Sequence, residues 1–151
     1  MPFLDVNSVH YSPAEKAANE AALAAAEAAI LPKARNLTPD ERQQYGSINE
    51  QHKLLVNKDK DYHDNQPALD SPDVDWAEFV LDYGDRRHFE SLEHRLEALL
   101  AAVRDTKTLY DYDNYQNALL DYQYTDYKAN RTNDPAYEAK YNDLRQFFPN
   151  T

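Results

Sequence analysis

The chain has 151 residues, a net charge of −11, no cysteine and two glycines, Gly46 and Gly84, which is enough length for one domain with a core. The missing cysteine excludes disulfides, thiolate catalysis and thiolate-ligated zinc or iron–sulfur sites, and the negative charge opposes direct binding to a phosphate backbone. Phosphate-cradling loops, dinucleotide fingerprints and nucleophile elbows each need glycines at short spacing, so they are excluded too.

Residues 1–11 read as an extended N-terminal arm, and 12–151 as a single helical domain. The arm lacks the basic start and apolar run of a secretory signal, and no stretch approaches 18 consecutive apolar residues. A cytoplasmic protein with no membrane partner is expected.

The first helix is expected over about 13–31. Ser12-Pro13-Ala14-Glu15 supplies a cap, a proline at the first helical position and a reciprocal glutamate. Ala17, Ala18, Ala21, Ala22, Ala25, Ala28 and Ala29 cover one face, with Leu23 and Ile30 among the polar residues opposite. Such a face suits tight packing, either on the chain's own bundle or on a neighbouring subunit.

The second helix is expected over about 39–62, with a break near Gly46. Thr38-Pro39-Asp40-Glu41 and Ser47-Ile48-Asn49-Glu50 are its capping boxes. Tyr45, Ile48, Leu55, Val56 and Tyr62 form an apolar stripe that includes His52 and Asp59. His52 reads as a hydrogen-bonded core residue. Residues 62–72 form the longest loop.

The third helix is expected over about 73–104. Trp76, Phe79, Val80 and Tyr83 lie on one side. Phe89, Leu92, Leu96, Leu99, Leu100 and Val103 lie nearly opposite, and the switch falls at Gly84-Asp85. Either the helix breaks at Gly84, or one long helix changes partners midway. Residues 70–85 carry six acids and no base. Capping and an Asp82–Arg86 pair account for some of them. Asp73, Asp75, Glu78 and Asp82 remain candidates for contact with a basic partner.

The fourth helix is expected over about 106–129. Tyr112, Tyr115, Leu119 and Tyr122 follow helical steps, widened by Leu109, Leu120 and Tyr127, and read as core or half-core. Tyr110 and Tyr124 share the other face with Asp113, Asn117 and Asp121. Tyrosine beside acids and amides is recognition chemistry, a rigid ring with a hydrogen-bonding tip. The last helix, about 135–148, opens at Asp134-Pro135 and carries Tyr137, Tyr141, Leu144 and Phe148 on one stripe. Pro149 stops it.

No metal site is expected. None of the five histidines follows a glutamate at Glu-x-x-His spacing. The aspartate runs at 59–64 and 111–113 lack the glycine and glutamate of a calcium loop. The expected fold is all-α, a bundle of four to five helices with an extended arm, using no cofactor. The expected function is non-catalytic: a protein–protein interaction module, as a structural, assembly or adaptor subunit, in a homo-oligomer or larger complex, with a basic protein as one kind of partner. One alternative is an acidic inhibitor that mimics nucleic acid, using the 70–85 acids with Asp105, Asp111, Asp113 and Asp121 as a ridge. Another is a small-ligand-binding bundle with a pocket of tyrosines, His52 and Asp59.

Overall fold

The computed structural model describes residues 3–48 and 50–148. Its five helices are α1 (Pro13–Ile30), α2 (Pro39–Tyr45), α3 (Glu50–Asn65), α4 (Trp76–Thr132) and α5 (Pro135–Arg145), with 3-10 turns at Leu31–Lys33 and Pro67–Leu69. The described residues contain no strand, so the fold is all-α with the expected number of helices.

Local chemistry sets the helix starts. Ser12 Oγ accepts from the Glu15 amide, and Glu15 accepts from the Ser12 amide. Thr38 and Glu41 repeat the exchange. Asp134 Oδ1 accepts from the Ala136 amide, and Pro135 stands at the first helical position. The Ser47–Glu50 box includes Asn49, and the stop at Pro149 lies at the end of the chain; both residues lie outside the described ones.

The two helices expected over 73–104 and 106–129 are one helix of 57 residues. Gly84 takes no left-handed conformation, so it is not a stop. One glycine costs a helix about 1 kcal/mol, which its neighbours outweigh. At the second expected boundary, Thr106 and Thr108 donate their hydroxyls to the carbonyls of Ala102 and Arg104, at 2.7 and 2.9 Å, so both hydroxyls are satisfied within the helix. The helix ends where Asn133 turns left-handed at φ 53° and Pro135 follows. A Cβ at Gly84 would meet nothing within 4 Å. Gly84→Ala is therefore expected to stabilise α4 by about 0.5–1 kcal/mol, read as a raised denaturant midpoint with an unchanged slope.

The chain forms two compact units, divided between His10 and Tyr11 and again between His94 and Arg95. In the unit Tyr11–His94, α3 and the start of α4 run antiparallel. Asn57 meets Arg86, the Lys60 ammonium lies 5.4 Å from the Tyr83 ring centre, and His63 stacks on Trp76 at 4.7 Å. The half-buried side of α3 is Lys53, Val56, Asn57, Lys60 and His63. Of the expected stripe only Val56 lies on this side: Tyr45, Ile48, Leu55 and Tyr62 are exposed, and so is His52, which is no core residue. Long cationic stems and a tyrosine ring fill this hairpin beside the one aliphatic residue of that side, Val56. The alanine face of α1 is exposed too, so it does not pack on a bundle of its own chain.

The other unit joins the described arm to α4 from Arg95 onwards and to α5. Helix α5 lies antiparallel on α4. Tyr137 meets Tyr124, Lys140 meets Asp121, and Tyr141 and Phe148 both stack on Tyr122. Among the described residues no hydrophobic side chain is buried. The two buried residues are Asp113, at 5% exposure, and Thr125, at 0%.

Candidate functional site

The five residues Tyr110, Asp113, Asn117, Asp121 and Tyr124 share one face of α4, at steps of three and four. The structure gives this face two occupants, both from the chain itself. The first three residues hold the N-terminal arm, and the last two hold α5.

The arm is extended and recognised mainly through its backbone. Val6 N–H and Asn7 N–H donate to Asp113 Oδ1 and Oδ2 at 2.8 and 2.9 Å. The Tyr110 hydroxyl donates to the Val9 carbonyl, and the Tyr110 ring stacks on His10 at 6.1 Å. Asn117 Nδ2 donates to Asp5 Oδ1 at 3.1 Å and to the Asp113 carbonyl at 2.9 Å, which aligns it beside the carboxylate. Phe3 meets the Tyr112 ring edge-on at 6.1 Å. A carboxylate taken out of water is costly unless its oxygens are satisfied, and two consecutive amides satisfy both oxygens of Asp113. The opposite side of the arm stays open: Leu4, Val6 and Val9 are exposed.

At the other end of the face, Asp121 accepts from Lys140 Nζ at 2.7 Å, and Tyr124 meets Tyr137 edge-on at 6.2 Å. Thr125, fully buried, donates its hydroxyl to the Asp121 carbonyl at 2.8 Å. The Tyr141 hydroxyl, as a hydrogen-bonding neighbour, pushes the Tyr122 phenol above its ordinary value, and Tyr124 does the same to Tyr137.

The expected core stripe is mostly open. Tyr112, Tyr115, Leu109, Leu120 and Tyr127 are exposed, while Leu119 and Tyr122 are half-buried. Spacing identified a stripe, but α5 covers only the part that includes Tyr122.

The acidic candidates behave differently. Asp75 Oδ1 accepts from the Glu78 amide at 3.1 Å at the start of α4. Asp73 is exposed, and its own amide donates to Ser71 Oγ. Glu78 and Asp82 are exposed. The expected Asp82–Arg86 pair is not formed, because Arg86 Nη2 reaches Asn57 Oδ1 at 3.1 Å. Sequence reasoning missed a cluster beside them. His63 Nδ1 lies 2.6 Å from Asp70 Oδ2, and Trp76, stacked on His63, donates to the Ser71 carbonyl at 2.9 Å. Only tertiary proximity reveals it.

Two open cavities lie in the unit Tyr11–His94. One, of about 340 Å³, has Lys53, Arg86 and Arg87 on its rim against Glu50, Asp61 and Glu90. Glu50 pairs with Lys53 at 2.9 Å and, chiefly through that hydrogen bond, raises the affinity of Lys53 for its proton. The balanced rim favours neither an anion nor a cation. The other cavity, of about 240 Å³, is bounded by Asp59, Tyr62, Leu69 and Trp76. No three histidine or acidic side chains among the described residues converge in a way that would hold a metal ion. No helix is long and apolar enough to cross a membrane.

No protein-family model, no curated protein and no solved structure matches the chain.

Proposed function

We propose that this chain is a non-catalytic subunit of a protein assembly, acting through protein–protein contacts. The observation that carries the reading is the uncovered apolar surface: well-formed helices present leucine, phenylalanine and tyrosine stripes, yet no hydrophobic side chain among the described residues is buried. Large exposed apolar patches mark interaction surfaces, because each leucine brought out of water contributes about 1.5–3 kcal/mol. The acidic surface favours a basic neighbour among the partners. The nucleic-acid-mimic reading draws no such support, since Asp111, Asp113 and Asp121 are engaged by Lys107, the arm and Lys140.

The test is the mass in solution, by light scattering over a concentration series at two salt levels, together with affinity capture from the source cells. An oligomer insensitive to salt, or capture of one defined partner at stoichiometric amounts, is the expected result. A monomer at every concentration that captures nothing would sink the reading.

A further inference from the structure

We propose that the N-terminal arm is exchanged between two copies of this chain, so that the arm of one copy occupies the Tyr110–Asp113–Asn117 face of the other. The inference rests on the assembly reading and names its partner, a second copy, and the site.

The receptor reads a backbone, whichever chain supplies it. Asp113 is 5% exposed, and its two carboxylate oxygens accept from the consecutive amides of Val6 and Asn7. The Tyr110 hydroxyl donates to the Val9 carbonyl, and Asn117 Nδ2 donates to Asp5 Oδ1. These contacts set a direction. Asp5 lies at Asn117, Val6 and Asn7 at Asp113, and Val9 at Tyr110, so the arm runs antiparallel to α4. The described arm and α4 from Arg95 onwards belong to one compact unit, so receptor and occupant are both defined there. A second copy presents the same groups to the same receptor, and an exchanged pair keeps every one of these bonds, twice by symmetry.

Three features favour exchange over a purely internal clasp. The first is what the arm leaves in water. Polar groups hold it, with Phe3 edge-on to Tyr112, while Leu4, Val6 and Val9 are 61–86% exposed. A second chain that takes part in the contact covers this apolar side. The second is the connector. Only Tyr11 and Ser12 separate His10 from the first residue of α1. Pro13 restricts Ser12 to extended backbone, at φ −67° and ψ 161°, so the connector does not fold back on itself. Short, stiff connectors promote exchange because they lack the freedom to make a closing turn. The third is continuity. Leu96, Val103, Tyr110 and Asn117 follow steps of seven along α4, and Leu99 stands on the same face two such steps before Asp113. The arm covers the later part of this line, while Leu96, Leu99 and Val103 are 49–57% exposed. The arm runs toward Val103 as its residue numbers rise, so a donating chain meets the receptor beside these open side chains.

A tethered arm competes for its own receptor at an effective concentration on the order of 1 mM. Exchange alone therefore pairs the chain near that concentration, and covering the arm's outer side chains and the open line lowers it at least about 10-fold.

The test is sedimentation velocity on the full chain up to about 500 µM, a range chosen against that competition. Asp113→Ala removes the receptor. Val6→Pro with Asn7→Pro removes the two arm amides and alters no helix. The expected wild-type species has twice the mass of the 17.5 kDa chain. Each variant alone is expected to pair at least about 100-fold more weakly, from the loss of two hydrogen bonds to a carboxylate. Mixing the two variants in equal amounts should bring pairing back, because one supplies an intact arm and the other an intact receptor. If Asp113→Ala loses helix, a fluorescent peptide of residues 3–11 decides. It should bind the double-proline chain at least about 10-fold more tightly than the wild type, whose own arm competes, and equal binding overturns the exchange. Pairing that survives both variants overturns it too and leaves the assembly reading intact. Variants that each lose pairing but do not complement one another show that the arm acts within its own chain, which also overturns it. A wild-type monomer at every concentration overturns the exchange, and if it captures no partner either, the assembly reading falls with it.

Discussion

Asp113→Ala is expected to release the N-terminal arm from α4 while leaving the helices in place. The carboxylate is 5% exposed and holds two consecutive arm amides, Val6 at 2.8 Å and Asn7 at 2.9 Å. Hydrogen bonds to a charged group contribute about 1.5–3 kcal/mol each. Losing both raises the open population of the arm by at least about 100-fold, taking about 3 kcal/mol as the net loss. Hydrogen exchange at the Val6 and Asn7 amides measures this directly, since their bonds to Asp113 are what protects them. Asp113→Asn keeps the size and one acceptor oxygen, so its loss should be intermediate. The helical signal should stay within a few per cent of wild type in both variants. Full protection of Val6 and Asn7 in Asp113→Ala would show that the arm is held by Phe3 and Tyr110 rather than by the carboxylate.

The arm explains which parts of the site were legible in sequence. Spacing alone placed Tyr110, Asp113, Asn117, Asp121 and Tyr124 on one face and identified it as recognition chemistry. It could not identify the occupant, because Asp113 reads backbone amides, and every residue but proline carries one. The starts of α1, α2 and α5 were legible for the opposite reason. Their caps are side chains bonded to amides two or three residues away, so the whole interaction is written in one short stretch.

Where tertiary context decides, the sequence misled. Gly84 left a break open beside the alternative of one long helix, and a boundary was expected between 104 and 106. Neither supplies a stop, because no proline interrupts residues 76–132 and the threonine hydroxyls are satisfied within the helix. Ranking residues by hydrophobicity also placed most of the α3 stripe on the wrong side, Val56 excepted. The half-buried side is built from Lys53, Val56, Asn57, Lys60 and His63, and the Tyr83 ring lies near Lys60, Arg86 and Arg87 at 5.4–5.9 Å. Cations on a ring have no periodic apolar signature.

Tyr122→Ala is expected to undock and melt α5. Tyr122 stacks on Phe148 at 4.4 Å and on Tyr141 at 5.6 Å. Each aromatic pair contributes about 0.5–1.5 kcal/mol beyond its area, and the half-buried ring adds about 1 kcal/mol, so the loss totals about 2–4 kcal/mol. Helix α5 has 11 residues, too few to persist alone in water, so undocking removes its helix as well. Far-ultraviolet circular dichroism should therefore fall by about 11 residues' worth of helix, whereas Tyr115→Ala, at 56% exposure, should leave the signal unchanged. Alkaline titration gives a second readout of the same contact. Tyr122 and Tyr137 have raised phenol pKa values, chiefly through the hydroxyls of Tyr141 and Tyr124, so the docked state favours the neutral phenols. Their contribution is complete below the unfolded value of about 10 and is lost as pH rises through the folded one. Wild-type α5 should melt in that range, and Tyr122→Phe with Tyr137→Phe should move the transition to higher pH. A helical signal that ignores both Tyr122→Ala and alkali would mean that Lys140–Asp121 and the buried Thr125 hold α5 without the stacked rings.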